Sequence, residues 1–213
     1  SRGQSTIEVL RTLFPDSQAR AQAAQLAFDR SYSAAVDRTG IVAMPGAELA
    51  LEQLHGSGAR VCLISGFSRR LLSLVLDTLG WWDRIDLALS PDDVPRGCPW
   101  PDLVLTAIIR LGIDDVRETA VAHGMESGVL CGHRAGASTV VGVLTGTHTT
   151  ERLRRAGATH VLGSVAALPE LLAPGLAGAG GSPEPGAATA SGGAVADDSR
   201  AAQVPLERRH TGL

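Results

Sequence analysis

Apolar residues recur along this chain with two alternating periods. Ala47, Ala50, Leu51 and Leu54 fall at i, i+3, i+4 and i+7, one face of a helix that stops at Gly56 and Gly58. Val61-Cys62-Leu63-Ile64 follows as a continuous apolar run, the pattern of a buried strand, and ends at Ser65-Gly66. Ser68 is placed to cap the next helix, whose Leu71, Leu72, Val75, Leu76 and Leu79 share a face before Gly80. Leu87-Ala88-Leu89 predicts a second strand. A helix follows from Pro101 through Val104, Ala107, Ile108 and Leu111 to Gly112. Ala120-Val121-Ala122 predicts a third strand, then a helix to Ala135, a strand over Val140 to Leu144, a helix over Thr150 to Ala156 and a fifth strand over His160-Val161-Leu162. Strands separated by single helices run parallel, so residues 41–173 predict a doubly wound α/β domain.

The two ends depart from this beat. Residues 1–40 carry helical signals only: Ser5 precedes a turn bearing Ile7, Val9, Leu10 and Leu13, Pro15-Asp16 interrupts, and a second helix runs from Ala19 to Gly40. The expectation is two short helices forming a small hairpin. Residues 174–213 are dominated by Gly, Ala, Ser and Pro, too poor in bulky apolar groups to order themselves, and are expected to form a disordered tail.

Composition narrows the function. The 213 residues carry a formal net charge of -3 with arginines scattered singly or in pairs, which leaves no electrostatic footprint for nucleic acid. No apolar run reaches membrane-spanning length and the first residues lack a secretory-signal layout, so a cytoplasmic protein with no membrane association is expected. Cys62, Cys98 and Cys131 form no CxxC and are expected to be free thiols. None of the basic residues is lysine, which excludes Schiff-base chemistry and a GxxxxGK phosphate loop.

In a parallel α/β sheet, chemistry sits beyond the carboxyl ends of the strands. Those loops are Ser65-Gly66-Phe67-Ser68, the segment Ser90 to Pro101, and His123 to Gly128. Together with Leu79-Gly-Trp-Trp and Val141-Gly-Val-Leu-Thr-Gly146, the runs Leu63-Ile-Ser-Gly-Phe-Ser-Arg-Arg and Ser90-Pro-Asp-Asp-Val-Pro-Arg-Gly-Cys-Pro-Trp-Pro-Asp102 closely resemble phosphonatase-like hydrolases of the haloacid dehalogenase (HAD) superfamily. The resemblance covers roughly residues 1–172. It implies a HAD-like Rossmannoid core, a helical cap inserted after the first strand and matching residues 1–40, and hydrolysis of phosphate or phosphonate small molecules with magnesium.

Carried over by position, the resemblance makes Ser65 the phosphate-binding hydroxyl, with Gly66 offering its amide to an anion. The remaining positions depart from the family. No DxD occurs, so the nucleophile strand is expected to be lacking. The cation position of G-[KR]-P-x-P falls on Cys98, the two metal-binding aspartate positions of the fourth motif fall on Gly124 and Gly128, and the imine-forming lysine of the phosphonoacetaldehyde branch falls on Thr6. Glu126 stands where that motif has proline. The expectation is a degenerate site with no catalytic residue, no metal ligand and no tightly bound magnesium, hence absent or very low activity. The alternatives are a pseudoenzyme binding a phosphorylated ligand or a protein partner, and an active phosphatase whose upstream segment is missing from this sequence.

In that superfamily the nucleophile strand lies between the strands ending at Ser65 and near Ala122. Without it those two must pair directly or borrow a segment from another molecule. Other chemistry finds little support. Cys98 with His123 or His133 could be imagined as a thiol nucleophile and base, but nothing places them together. On a helix, Cys131 and His133 diverge too far to share zinc. Asp92-Asp93, Asp114-Asp115 and Asp197-Asp198 are expected to be turn or cap residues, and Trp81-Trp82 to pack a helix against the cap or sheet. Arg2, Arg11, Tyr32 and Arg38 are the cap's candidates for substrate contact, and a homo-oligomer stays open.

Overall fold

The computed structural model describes residues 5–176 and 193–197. Two helices come first, α1 (Thr6–Leu13) and α2 (Gln18–Thr39). The α/β alternation follows as α3 (Ala47–Gly56), β1 (Arg60–Ile64), α4 (Arg69–Leu79), β2 (Leu87–Leu89), α5 (Asp102–Leu111), β3 (Thr119–His123), α6 (Glu126–Ala135), β4 (Thr139–Val143), α7 (Thr150–Arg155), β5 (His160–Leu162) and α8 (Leu168–Leu176). Each strand and helix predicted from periodicity is present. The second cap helix is not short: α2 has 22 residues, about 33 Å of helix at 1.5 Å per residue.

Among the described residues the sheet holds six strands in the order β2-β1-β6-β3-β4-β5, where β6 is Gly193–Asp197. Every pairing in it is parallel. The period of two along β1 separates the core into layers. Val61 and Leu63 pack with Leu51 and Leu54 of α3 and Leu72 and Leu76 of α4. Cys62 and Ile64 meet Leu103, Val104 and Ala107 of α5 on the opposite face. Helices thus cover both faces, the doubly wound arrangement the sequence predicts.

The centre of the sheet requires two corrections. Strands β1 and β3 do not pair with each other, and the segment between them is not borrowed from another molecule. Instead β6, from the chain's own C-terminal stretch, pairs with both, with Cys62 opposite Val195 and Val121 opposite the same residue. The expected disordered tail is therefore a strand at 193–197, while its remainder from 177–192 and 198–213 lies outside the described residues. Gly193-Ala194-Val195-Ala196 is short and small, yet the unpaired N–H and C=O groups of two flanking parallel strands outweigh its weak propensity. Asp197, read from the sequence as a turn residue, is the last residue of that strand, in register with Ile64.

The tryptophan pair divides. Trp81 is buried in the core with its Nε1–H donated to Glu48 Oε1 at 3.1 Å, whereas Trp82 is largely exposed and donates to Asp77 Oδ1 at 2.6 Å.

Candidate functional site

The cap hairpin lies over the carboxyl end of β1. Thr6 N–H donates to Gly66 O at 3.1 Å, fastening the start of α1 to the loop after β1. On α2, Phe28 and Tyr32 stack against Phe67 of the same loop, with Tyr32 and Phe67 centroids 5.0 Å apart. Beside them Asp29, 3 % exposed, accepts from Gln25 Nε2 at 2.6 Å and from Ser68 Oγ at 2.7 Å. Ser68 also accepts from Leu71 N–H, so it caps α4 as its sequence position predicts. Ser5 occupies the N-cap of α1 without making a capping bond.

A cavity of about 400 Å³ opens between cap and core. Its core side is formed by Gly66, Ser68, Asp92 and Gly97, and its cap side by Glu8, Arg11, Gln22 and Gln25. Two of the loops singled out from the sequence therefore converge here. Ser65 itself is withdrawn. It is 3 % exposed, its amide donates to Leu89 O, its hydroxyl accepts from Phe67 N–H at 3.1 Å, and it borders a separate small pocket of apolar lining. Thr6 stands at the first turn of α1, above Gly66.

The loop from Ser90 to Pro101 is held by charge. Asp93 accepts from Ser90 N–H at 2.8 Å and pairs with Arg69 and with Arg110. Burial alone would raise its carboxyl, but the Ser90 amide and Arg69 hold it below the ordinary aspartate range. Asp92 accepts from Arg69 N–H at 2.7 Å at the start of α4. These two aspartates are loop and cap residues, as expected. Beyond Gly97 the chain turns inward. Cys98 packs half-buried against the apolar layer of α5, and Cys131 donates its thiol to Trp100 O. Arg96 and Arg134 lie over the Trp100 ring at 4.6 and 5.3 Å. Arg96 also pairs with Asp102 at 2.9 Å. The arginines flanking position 98 are thus engaged with an indole and a carboxylate rather than with the cavity wall. Burial pushes the Cys62 thiol up to about 12, which removes it as a nucleophile.

The loop after β3 is closed by His123 at its own start and by His148 from the segment between β4 and α7. His123 Nδ1 accepts from Met125 N–H at 2.9 Å, and His148 Nδ1 accepts from Glu126 N–H at 3.0 Å. A Cβ on Gly128 would collide with the His123 ring, and one on Gly124 would lie 3.0 Å from Gly146 Cα. Glu126 does not turn toward a metal position; its carboxylate pairs with Arg152 at 3.1 Å. Among the described residues no three His, Cys, Asp or Glu side chains gather as a metal set. For an ion such as magnesium the loop after β3 supplies one carboxylate, Glu126, which Arg152 already holds. The segment from Glu126 is helical, so Cys131 and His133 do diverge as the zinc argument requires.

Sequence reasoning missed Asp29, Gln25 and Glu8. The signal was present for Asp29: it interrupts a stripe of α2 whose other buried members are Ala21 and Val36, eight and seven residues away. Gln25 and Glu8 carry no such mark, because exposed polar residues line most cap helices. Arg11 reaches the cavity as the cap candidates suggested, bonded to Glu8 at 2.7 Å, while Tyr32 is engaged in the aromatic stack. Arg38 falls in the last turn of α2, and Arg2 lies outside the described residues.

Comparison with known proteins agrees with this architecture. A family profile described as haloacid dehalogenase-like hydrolase matches residues 7–123, more than half of the chain. Phosphonoacetaldehyde hydrolase from Pseudomonas aeruginosa (strain UCBPP-PA14) is 36 % identical over 100 residues, 46 % of this chain and 36 % of that protein. The same enzyme from Pseudomonas fluorescens (strain Pf0-1) is 32 % identical over 104 residues, 48 % and 38 % of the two chains. The matched span is little more than a third of these curated relatives' length. Among solved structures, a hydrolase from Pseudomonas syringae superimposes with a TM-score of 0.71 at 26 % identity, covering 81 % of this chain and 80 % of that one. A HAD family hydrolase from Deinococcus radiodurans R1, solved with bound phosphate and sodium, gives 0.60 at 28 % identity, covering 82 % and 78 %.

Proposed function

The chain belongs to the haloacid dehalogenase-like hydrolases, and from that premise we propose that it is a phosphonatase-like member which retains a cleft for a phosphorylated or phosphonate small molecule but turns it over very slowly or not at all. The family is generally magnesium-dependent, and the ion would neutralise phosphoryl oxygens during attack. The observation that carries the reading is the collision at residue 128: the His123 ring fills the space that an aspartate there would need. A fixed cation at 98 is absent as well, since cysteine carries no charge to offer. Binding is supported by the cavity beside Gly66 and by the bound phosphate of the Deinococcus radiodurans relative. In this chain Gly66 would present backbone to the anion, and Ser65, by holding the Phe67 amide, would shape the loop that does so.

Two measurements test the reading. Magnesium-dependent hydrolysis of p-nitrophenyl phosphate is expected at or near background, and turnover at ordinary enzyme rates, about 1 per second or more, would overturn it. Calorimetry should detect inorganic phosphate binding that weakens in Ser65→Ala; equal heats in both proteins would remove Ser65 from the site.

A second reading is favoured by β6. Its register puts Asp197 at the carboxyl end of the central strand, level with Ile64 and one residue before Ser65. A carboxylate at that place in the fold can serve as a nucleophile toward phosphorus. Phosphate release that disappears in Asp197→Asn would establish this alternative over the first.

A further inference from the structure

The cleft between cap and core carries charge that is already matched and apolar surface that is not. Glu8 holds Arg11 at 2.7 Å, and Asp92 accepts from Arg69 N–H at 2.7 Å, so the carboxylates on its two sides are both engaged. The same cavity is lined by Ile7 and Leu26 of the cap and by Pro91, Val94 and Pro95 of the loop after β2. Leu26 is 54 % exposed although it stands on this wall. Covering such surface with another apolar group is favourable, because it removes both from water.

The topology supplies an occupant. β6 runs parallel to β1 and β2, so all three strands end on the cavity side of the sheet, and Asp197 ends β6 level with Ile64, two residues before cavity-lining Gly66. β1 lies one strand away and β2 two, about 5 and 10 Å at the usual strand spacing. Residues 198–213 therefore leave the sheet beside the cleft. The six residues 198–203 can bridge up to about 20 Å, enough to bring Val204-Pro205-Leu206 onto the wall. Those three form the one run of bulky apolar groups in the segment, and Glu207-Arg208-Arg209 follows them.

We infer that Val204-Pro205-Leu206 docks on the apolar wall formed by Ile7, Leu26, Val94 and Pro95, so that the segment 198–213 covers the chain's own cleft. A tether of this length holds the docking run at an effective concentration on the order of millimolar, which keeps even a weak site occupied. If the cleft takes a phosphorylated ligand as proposed above, the tail and that ligand exclude each other. This regulatory consequence rests on that reading; the docking itself does not.

The test compares the full chain with one ending after Ser199, which keeps β6 and every described residue, by calorimetric titration with a synthetic peptide of residues 200–213. The peptide should bind the shortened chain with a dissociation constant of about 0.1–0.3 mM, the scale of two apolar side chains buried on a preformed wall. Its affinity for the full chain should be weaker by about threefold or more, because the tethered copy competes. Full-length Leu206→Asp should take up the peptide as well as the shortened chain does. Leu26→Asp, on the exposed side of α2, should weaken binding to the shortened chain about tenfold. Absence of binding to the shortened chain, equal affinity for the shortened and full chains, or indifference to Leu26→Asp would each overturn the proposal. Dimerisation of the shortened chain that Leu26→Asp abolishes, read by light scattering, would assign the wall to a second copy instead. Inorganic phosphate should bind the shortened chain more tightly than the full one, and equal affinities would remove the mutual exclusion. Phosphate that binds neither, with peptide binding intact, removes the phosphate cleft and leaves the docking site standing.

Discussion

Asp29 Oδ2 accepts a hydrogen bond from Ser68 Oγ at 2.7 Å, across 39 residues of sequence, and so joins the middle of the cap's long helix to the N-terminus of the first core helix after β1. The bond has consequences on both sides, because the same hydroxyl accepts from Leu71 N–H and the same carboxylate accepts from Gln25. Replacing Asp29 with Ala should cost about 1–3 kcal/mol, since it leaves two half-buried donors without this acceptor. Ser68→Ala should cost about 1–2 kcal/mol through loss of the cap and the cross-link. In urea titrations the double variant should lose clearly less than the sum, because the two residues share one network.

The clash at residue 128 predicts that the family's aspartate cannot simply be restored. Gly128→Asp should destabilise the chain by about 3 kcal/mol or more, as an overpacked buried position does. It should also fail to create magnesium-dependent phosphatase activity. Combining it with His123→Ala should recover part of the lost stability, because the ring is the obstacle. Thermal melts of the four proteins measure this coupling directly.

The tail strand makes a prediction about folding. Termination after Leu176 removes β6 and leaves the facing edges of β1 and β3 without partners at Arg60–Ile64 and Thr119–Ala122. The shortened chain should lose cooperative unfolding or self-associate through those edges, which chemical denaturation and light scattering would report. A shortened chain that melts as the full one does would show that β6 contributes nothing to the sheet.

Acid should loosen the loop between Ser90 and Pro101. Asp93 has a folded pKa held below its unfolded value by the Ser90 amide and Arg69. The stability it contributes is therefore fully present above the ordinary aspartate range and is lost as pH falls through the depressed folded value. Between pH 6 and pH 3 the urea midpoint of the wild type should fall further than that of Asp93→Asn. Arg69→Ala should shift the loss to higher pH, by raising the carboxyl toward its ordinary value.

Much of the core is written locally. The continuous apolar run of β1 and the helical faces of α3, α4 and α5 are each a pattern that one segment can display alone, and Ser68 and Gly80 bound α4 where the sequence places them. The strand-end loops follow from that order, because parallel crossovers put one end of every strand on the same side. The absence of charge at Cys98, Gly124 and Gly128 is also plain in the chain, since residue identity alone settles it.

Other features depend on partners distant in sequence. No local pattern marks Gly193-Ala194-Val195-Ala196 as a central strand; only the open edges of β1 and β3, more than 70 residues upstream, give it that role. Nor could spacing show that Ser65 would turn its hydroxyl to Phe67, that His123 would fill the room beside Gly128, or that Asp29 would be buried under Gln25 and Ser68. Periodicity determines which face of an element is apolar, a property of one segment. Which polar groups meet at a cleft is decided when separate segments dock, because hydrogen bonds and steric exclusion act over a few ångströms of space and are indifferent to distance along the chain.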